Sequence, residues 1–294
     1  MTDSRRRDGD TEPCPNATVV GDLVGRGRRS PAPAVHAAAR DRTYSYFDLC
    51  NTAAKAGNVL RHVGVRPGDT VAVEPRRAPE VAFTALGAWL IGATVAPTVA
   101  PGEAGDARAL VVAAAAESAV TAPPGTSLVV FGDAPTTDGA THWEAEVWSE
   151  NPAAPPAPTT ADDTAVSLVD AADTPDATPV SHDRLLGLAG AAVDAAEIDA
   201  RTAVVAAGDP ASPRAIATGL LAPLAAAGTT VSVDGPTPSA SDAPAAPDNR
   251  PTADETAVGE AVAAARELDG VERVVTVGGD GGADATLSPS ELSP

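Results

Sequence analysis

Lysine is almost absent from this 294-residue chain: Lys55 is the single one, against 19 arginines. Aromatic residues make up 3%, methionine occurs once and cysteine twice. So few rings exclude a core built around large flat side chains. The apolar content, 44% of residues and rich in alanine and valine, must instead be buried by close approach of backbone layers. That content is enough for a real core, and the length allows one large domain or two modest ones. Cys14 and Cys50 have neither a C-x-x-C partner nor a nearby histidine, which excludes a disulfide framework and a sequence-local zinc site. Long apolar runs are missing as well. None follows Arg5-Arg6-Arg7, so neither an export signal nor a membrane span is expected, and the expected location is the cytoplasm.

What is abundant is negative charge. Aspartate and glutamate total 40 against 20 basic residues, a net charge of -20. Such a surface repels itself at low ionic strength and is screened in brine, where the Debye length falls to about 3 Å at 1 M salt. The composition resembles that of salt-adapted proteins. It also argues against nucleic acid as a partner, because phosphate binding needs a basic stripe. The only basic runs, Arg5 to Arg7 and Arg26 to Arg29, read as solvated segments. The sequon Asn16-Ala17-Thr18 reads as chance without a secretion signal.

Residues 1–17 are polar and read as a disordered leader. A first α/β subdomain is expected over 18–131, a Pro/Thr/Ala-rich linker or excursion over 132–163, and a second α/β subdomain over 164–234. A linker at 235–252 then precedes a helix-strand segment with a flexible tail at 253–294. Within the first subdomain, Ser45 with Asp48 three residues on forms a capping-box pattern that opens a helix through His62. Strand Thr70 to Glu74, a helix from Pro79 ended by Gly92, and strand Ala93 to Ala96 follow. The next expectations are a helix over Ala107 to Glu117 and a strand over Leu128 to Phe131. The second subdomain continues with strand Ala165 to Val169, helix Asp183 to Ala196, strand Ala203 to Ala207, helix Arg214 to Ala227 and strand Thr229 to Val233. This alternation predicts an α/β fold of layered βαβ units with mainly parallel sheets. A final helix, Asp254 to Leu268, and strand, Val271 to Val277, complete the pattern.

Four runs occur in a fixed order: Thr43-Tyr44-Ser45-Tyr46-Phe47-Asp48-Leu49, Gly64-Val65-Arg66-Pro67-Gly68-Asp69-Thr70-Val71-Ala72, Pro79-Glu80, and Gly87-Ala88-Trp89-Leu90-Ile91-Gly92-Ala93-Thr94-Val95-Ala96-Pro97. Together they resemble the N-terminal region of AMP-forming acyl-CoA synthetases. The resemblance covers residues 19–131 well and 164–233 loosely, and implies that family's N-terminal fold. These residues build scaffold. The chemistry of such enzymes sits in a loop reading roughly T-S-G-T-T-G-x-P-K-G, followed by Ser/Thr-His at a helix start.

Ser181-His182 fits that ending. Counting back without a gap places Val169-Asp170-Ala171-Ala172-Asp173-Thr174-Pro175-Asp176-Ala177 on the loop, with Pro175 on the motif's proline. Glycines are replaced by Asp170, Asp173 and Ala177, and the lysine by Asp176; Ala171, Ala172 and Thr174 fill the remaining positions. Glycines let backbone amides close on phosphate oxygens, and the lysine neutralises them. One like charge at 4 Å costs about 1 kcal/mol in water and about 4 at an effective dielectric of 20. Three carboxylates facing a triphosphate oppose its binding, unless Mg²⁺ bridges them.

Other motifs of the family are missing: there is no aromatic-Gly-x-T-E segment and no C-terminal catalytic lysine. Gly219-Leu220-Leu221-Ala222-Pro223-Leu224 and Gly228-Thr229-Thr230-Val231 match the family's next helix and strand. Asp209-Pro210-Ala211-Ser212-Pro213 stand where aromatic and histidine residues of an acyl pocket are expected. Asp170, Asp173 and Asp176 lack the ladder of a calcium loop and read as a solvated acidic loop. Ser181 reads as a helix cap rather than a nucleophile. Gly278 to Gly282 reads as a tail, not an anion nest, and His36, His62 and His142 have no metal-ligand spacing.

The expectation is therefore a truncated, non-catalytic relative, a regulatory or interaction module without cofactor, with an intact acyl-CoA synthetase as a candidate partner. The alternative is an AMP-forming acid–CoA ligase using ATP and Mg²⁺, completed by a complementary chain carrying the missing lysine and C-terminal domain. From the charge alone, the thermal unfolding midpoint should rise steadily from low salt to molar KCl. A midpoint indifferent to KCl would mean that the carboxylates do not repel one another enough to matter.

Overall fold

Capping chemistry sets the first long helix of the computed structural model, which describes residues 11–98, 105–153, 157–168, 178–207, 209–233, 253–277 and 286–287. The Ser45 hydroxyl accepts the Asp48 amide at 3.2 Å, and the Asp48 carboxylate accepts the Ser45 amide at 2.9 Å. This reciprocal pair opens α1 (Tyr46–His62) directly after the antiparallel pair β1 (Pro33–Ala37) and β2 (Arg42–Ser45). After β3 (Thr70–Val73), Pro79 takes the first position of α2 (Pro79–Leu90), where its missing amide has no helical partner to lose. Gly92, at φ +76°, then turns the chain into β4 (Thr94–Ala96).

The chain continues through β5 (Ala109–Ala113), β6 (Ser127–Phe131), β7 (Thr141–His142), α3 (Trp143–Ser149), β8 (Thr164–Leu168), β9 (Thr178–Ser181) and α4 (His182–Ala195). It ends with β10 (Thr202–Ala206), α5 (Pro213–Ile216), a π-helical turn Ala217–Leu221, α6 (Ala222–Ala225), β11 (Thr229–Ser232), α7 (Ala253–Arg266), β12 (Arg273–Val277) and β13 (Thr286–Leu287).

Two sheets result. One has seven strands in the order β7-β6-β5-β3-β4-β8-β9, the other six in the order β13-β12-β10-β11-β1-β2. Among the described residues only the edge pairs β1–β2, β8–β9 and β12–β13 are antiparallel, so the α/β class with mainly parallel sheets is what the chain adopts. Each sheet draws strands from both 18–131 and 164–234: β1 and β2 join β10 and β11, while β8 and β9 join β3 and β4.

The main core lies between the sheets and buries α1, α2, α4 and the π-turn helix together. A second cluster, with Leu110, Val112 and Val130, covers the outer face of the seven-stranded sheet. A third packs Ala261 and Ala265 of α7 on Val205 and Val231 of the other sheet. Since α1 leaves the six-stranded sheet and α2 belongs to the seven-stranded one, their contact joins the layers. It is a glycine seam. A Cβ on Gly87 would stand 2.6 Å from the Ala53 carbonyl oxygen and 2.7 Å from the Gly57 amide nitrogen, and one on Gly57 would stand 2.8 Å from the Gly87 carbonyl oxygen.

Four expectations need correction. The helix expected over Ala107 to Glu117 is strand β5 with a 3-10 turn, Ala114–Ala119. Ala109 to Ala113 are all buried between β3 and β6, a position that favours a continuous apolar strand over an amphipathic helix. The expected linker at 132–163 holds β7 and α3, with Trp143 buried and donating through Nε1 to Thr84 at 2.9 Å. Glu117 pins its first part. The amides of Thr136 and Thr137 bind that carboxylate and hold its pKa down to about 2.

Residues 11–17, part of the expected leader, are docked through the Cys14 amide on the Ala225 carbonyl at 2.7 Å. Arg28 is no solvated residue: it is buried, its guanidinium donates to the carbonyls of Glu12 and Leu224, and it stacks 5.5 Å from the Tyr46 ring centroid. Carbonyl partners and a ring replace water at its terminal nitrogens, while its Nε has no partner among the described residues. Lys55 donates to the Trp148 carbonyl at 3.4 Å.

Gly87→Ala should destabilise the protein by about 1–3 kcal/mol, since the added methyl meets backbone rather than a movable side chain. Chemical denaturation at fixed KCl measures it. An unchanged midpoint would show that the two helices can part at no cost.

Candidate functional site

Parallel strands of both sheets end at a shared opening. β3 ends at Val73, β4 at Ala96, β10 at Ala206 and β11 at Ser232. In open α/β sheets, ligands bind outside the carboxyl ends of strands, where connections diverge. Here the β3 connection runs to β4 on one side while β5 pairs on the other side of β3. A cavity of about 110 Å³ lies at this place.

One wall is Val81, Ala82 and Ala85 of α2 with Trp89; the other is Ile216, Gly219 and Leu220 of the helix beyond β10. That second wall contains the π-helical turn, Ala217–Leu221. A π-turn frees a carbonyl from the regular ladder, and the Thr230 hydroxyl donates to the Gly219 carbonyl here. A Cβ on Gly219 would overlap the Ala206 Cβ at 2.4 Å, so glycine lets the turn lie against β10. Ser232 donates to the Arg77 carbonyl, and Arg76 Nε donates to Glu74 at 3.0 Å. Thr230, Ser232 and Arg76 Nε are thus bonded to the protein itself, and the facing walls of α2 and the π-turn helix are apolar, suited to a hydrocarbon group.

The strands that flank the loop read from sequence lie at one edge of this opening. β8 runs parallel to β4 with Val166 beside Val95, so Leu168 ends β8 at the edge where Pro97 follows β4. Asp170, Ala171, Ala172, Asp173, Thr174, Pro175, Asp176 and Ala177 lie outside the described residues. Beyond them β9 returns antiparallel, with Thr178 beside Leu168, and delivers Ser181 to the start of α4.

Ser181 caps that helix, its hydroxyl accepting the Arg184 amide at 3.3 Å. His182 is 1% exposed; its own amide donates to the Asp163 carbonyl at 3.1 Å, and its Nδ1 accepts the Val20 amide at 3.2 Å. Burial pushes its pKa below the ordinary 6.5, against the pull of Asp163 and Asp22. The ring therefore ties the N-terminal segment to α4 as a neutral acceptor.

A phosphate group needs amides and cations, whereas the loop offers carboxylates at Asp170, Asp173 and Asp176. Among the described residues, no group of three or more His, Cys, Asp or Glu side chains is placed to hold a metal ion.

The cleft-lining residues Val81, Ala82, Ile216 and Leu220 had no signal in sequence beyond being apolar in helices. The departure at 209–213 was visible, and Pro210 does line the cleft. Asp209 is spent locally, accepting the Ala211 amide at 2.9 Å.

Comparisons with known proteins agree with this architecture. A family model described as AMP-binding enzyme matches residues 26–246. The fold is similar to apo MatB from Rhodopseudomonas palustris (TM-score 0.61, 19% identity, 72% of this chain and 44% of that one). It is also similar to the anthranilate CoA ligase AuaEII in complex with anthranoyl-AMP (0.64, 20%, 74% and 45%) and to an acyl-CoA synthetase from Brucella canis (0.61, 20%, 76% and 44%). The chain spans less than half the length of each. No curated protein sequence matched.

Above about pH 6.5 the folding stability should be flat with respect to His182, and below it should fall. The unfolded state takes up a proton near 6.5 and the folded state only at lower pH, so acid favours unfolding in that window. His182→Asn, which keeps an acceptor but cannot ionise, should reduce the slope. The remainder belongs in part to His36, which burial also pushes below 6.5. An identical pH profile for wild type and variant would show that the ring is protonated without loss.

Proposed function

Because the chain belongs to the AMP-binding enzyme family, we propose that it keeps that family's scaffold and an apolar small-molecule cleft but not its nucleotide chemistry, and acts as a regulatory or interaction module. The observation that carries this reading is the loop sequence Val169 to Ala177, where aspartates stand in place of glycine and lysine. Three like charges at a triphosphate site cost more than binding contacts commonly return. The only lysine, Lys55, lies on α1 and donates to Trp148, so the catalytic lysine's role has no candidate within this chain.

An intact acyl-CoA synthetase is the partner this reading favours. The second reading is an AMP-forming acid–CoA ligase completed by another chain that brings the lysine and the C-terminal domain. It is supported by Ser181-His182 at the helix start and by the chain spanning less than half the length of the similar ligases.

The purified protein in molar KCl should show no acid-dependent exchange of pyrophosphate into ATP. Nor should ATP with Mg²⁺ raise its unfolding midpoint, whereas a ligand at 100 times its dissociation constant would add about 2.7 kcal/mol. Robust exchange by the protein alone would overturn the non-catalytic reading. Exchange appearing only when a complementary chain is added would favour the second.

A further inference from the structure

A second, larger cavity of about 620 Å³ lies away from the strand ends, between the N-terminal segment 19–29, α1, the end of α2 and Pro152, Ala153, Ala157 and Thr159. Its size is that of a small-molecule site. Val24, Cys50, Ala54 and Leu90 make part of its wall apolar, while Arg26 and Arg29 both line it. In a chain of net charge -20, these two guanidinium groups place positive charge on this wall, as Arg76 and Arg77 do at the strand-end cleft.

Neither is fully used. Arg26 makes no hydrogen bond or ion pair among the described residues. Arg29 donates one Nη2 bond to the Pro152 carbonyl at 3.1 Å and stacks 5.9 Å from the Phe47 ring centroid. Its Nη1 has no partner among the described residues, and its Nε is buried without one. The Thr159 hydroxyl, on the same cavity, is also buried and unpartnered.

The geometry points to a binding site for a small organic carboxylate with an apolar body, distinct from the cleft at the strand ends. The guanidinium groups supply planar, charge-assisted donors that match a carboxylate, and the valine, alanine and leucine wall takes the apolar part. Asp22 on the same wall selects for low charge. Its Oδ2 is engaged by the amides of Thr18 and Val19 at 2.8 and 3.1 Å, and its negative charge opposes a dianion such as a phosphate. This inference does not rest on the non-catalytic reading: a ligase and a module would both carry the cavity.

The test is calorimetric titration of the full chain with benzoate as the probe, and with acetate and inorganic phosphate as controls, at the lowest KCl that keeps it folded. Benzoate should bind about tenfold more tightly than acetate or phosphate, because only it supplies both parts. Arg26→Gln, at an exposed position, should weaken benzoate about tenfold by removing a charge-assisted bond. Ala153→Trp, which fills the cavity from its exposed rim, should abolish binding, while Ala82→Trp in the other cleft should leave it unchanged. Absence of benzoate binding, phosphate binding as tight as benzoate, or benzoate binding that survives Ala153→Trp and is lost in Ala82→Trp would each overturn the assignment. Thermal unfolding of every variant separates lost binding from lost fold.

Discussion

The contact between α1 and α2 at Gly57 and Gly87 is the constraint on which the layers depend. Each helix is committed to a different sheet, and backbone meets backbone there at distances that exclude even a methyl group. With the sheets drawn this close, a core of valine and alanine fills the space that a looser arrangement would have to fill with rings. The seam is thus the structural counterpart of a composition with 3% aromatics. It also sets the cleft, because α2 supplies one wall of it and the helix after β10 supplies the other.

Buried polar groups serve that assembly first. Arg28 spends its guanidinium on two carbonyls and on the face of Tyr46, whose hydroxyl donates to the Gly228 carbonyl at 2.8 Å. His182 holds the N-terminal segment to α4. Thr230 and Ser232 close on backbone carbonyls at the strand ends. These donors are spent internally at the strand-end cleft, whose walls from α2 and the π-turn helix are apolar. Polar capacity remains at Arg26 and Arg29, on a different cavity.

Local signals in the sequence were reliable where the physics was local. Ser45 with Asp48, Pro79 and Gly92 each mark a boundary through a bond or a dihedral angle that involves only neighbouring residues. The run Ala109 to Ala113 misled because alanine and valine in a short apolar segment suit a strand and a buried helix alike, and only pairing with β3 and β6 decides. Arg28 misled for a related reason: a basic run reads as solvated until the carbonyls of Glu12 and Leu224 and the Tyr46 ring are brought to it from elsewhere in the chain. The segment 132–163 is rich in loop formers, yet Trp143 anchors it by burying a ring against α2.

By itself, the sequence determined the α/β alternation, the family scaffold, the acidic surface and the carboxylates of the loop before Ser181-His182. These follow from period, caps and charge, which are properties of neighbouring residues. Only the tertiary structure decided that strands from both halves interleave into two sheets, that the glycines of α1 and α2 meet, and that cavities form at the strand ends and beside Arg26 and Arg29. Those outcomes depend on pairs such as Val35 with Thr230 and Val95 with Val166, whose partners are separated by many residues and are chosen by packing rather than by local preference.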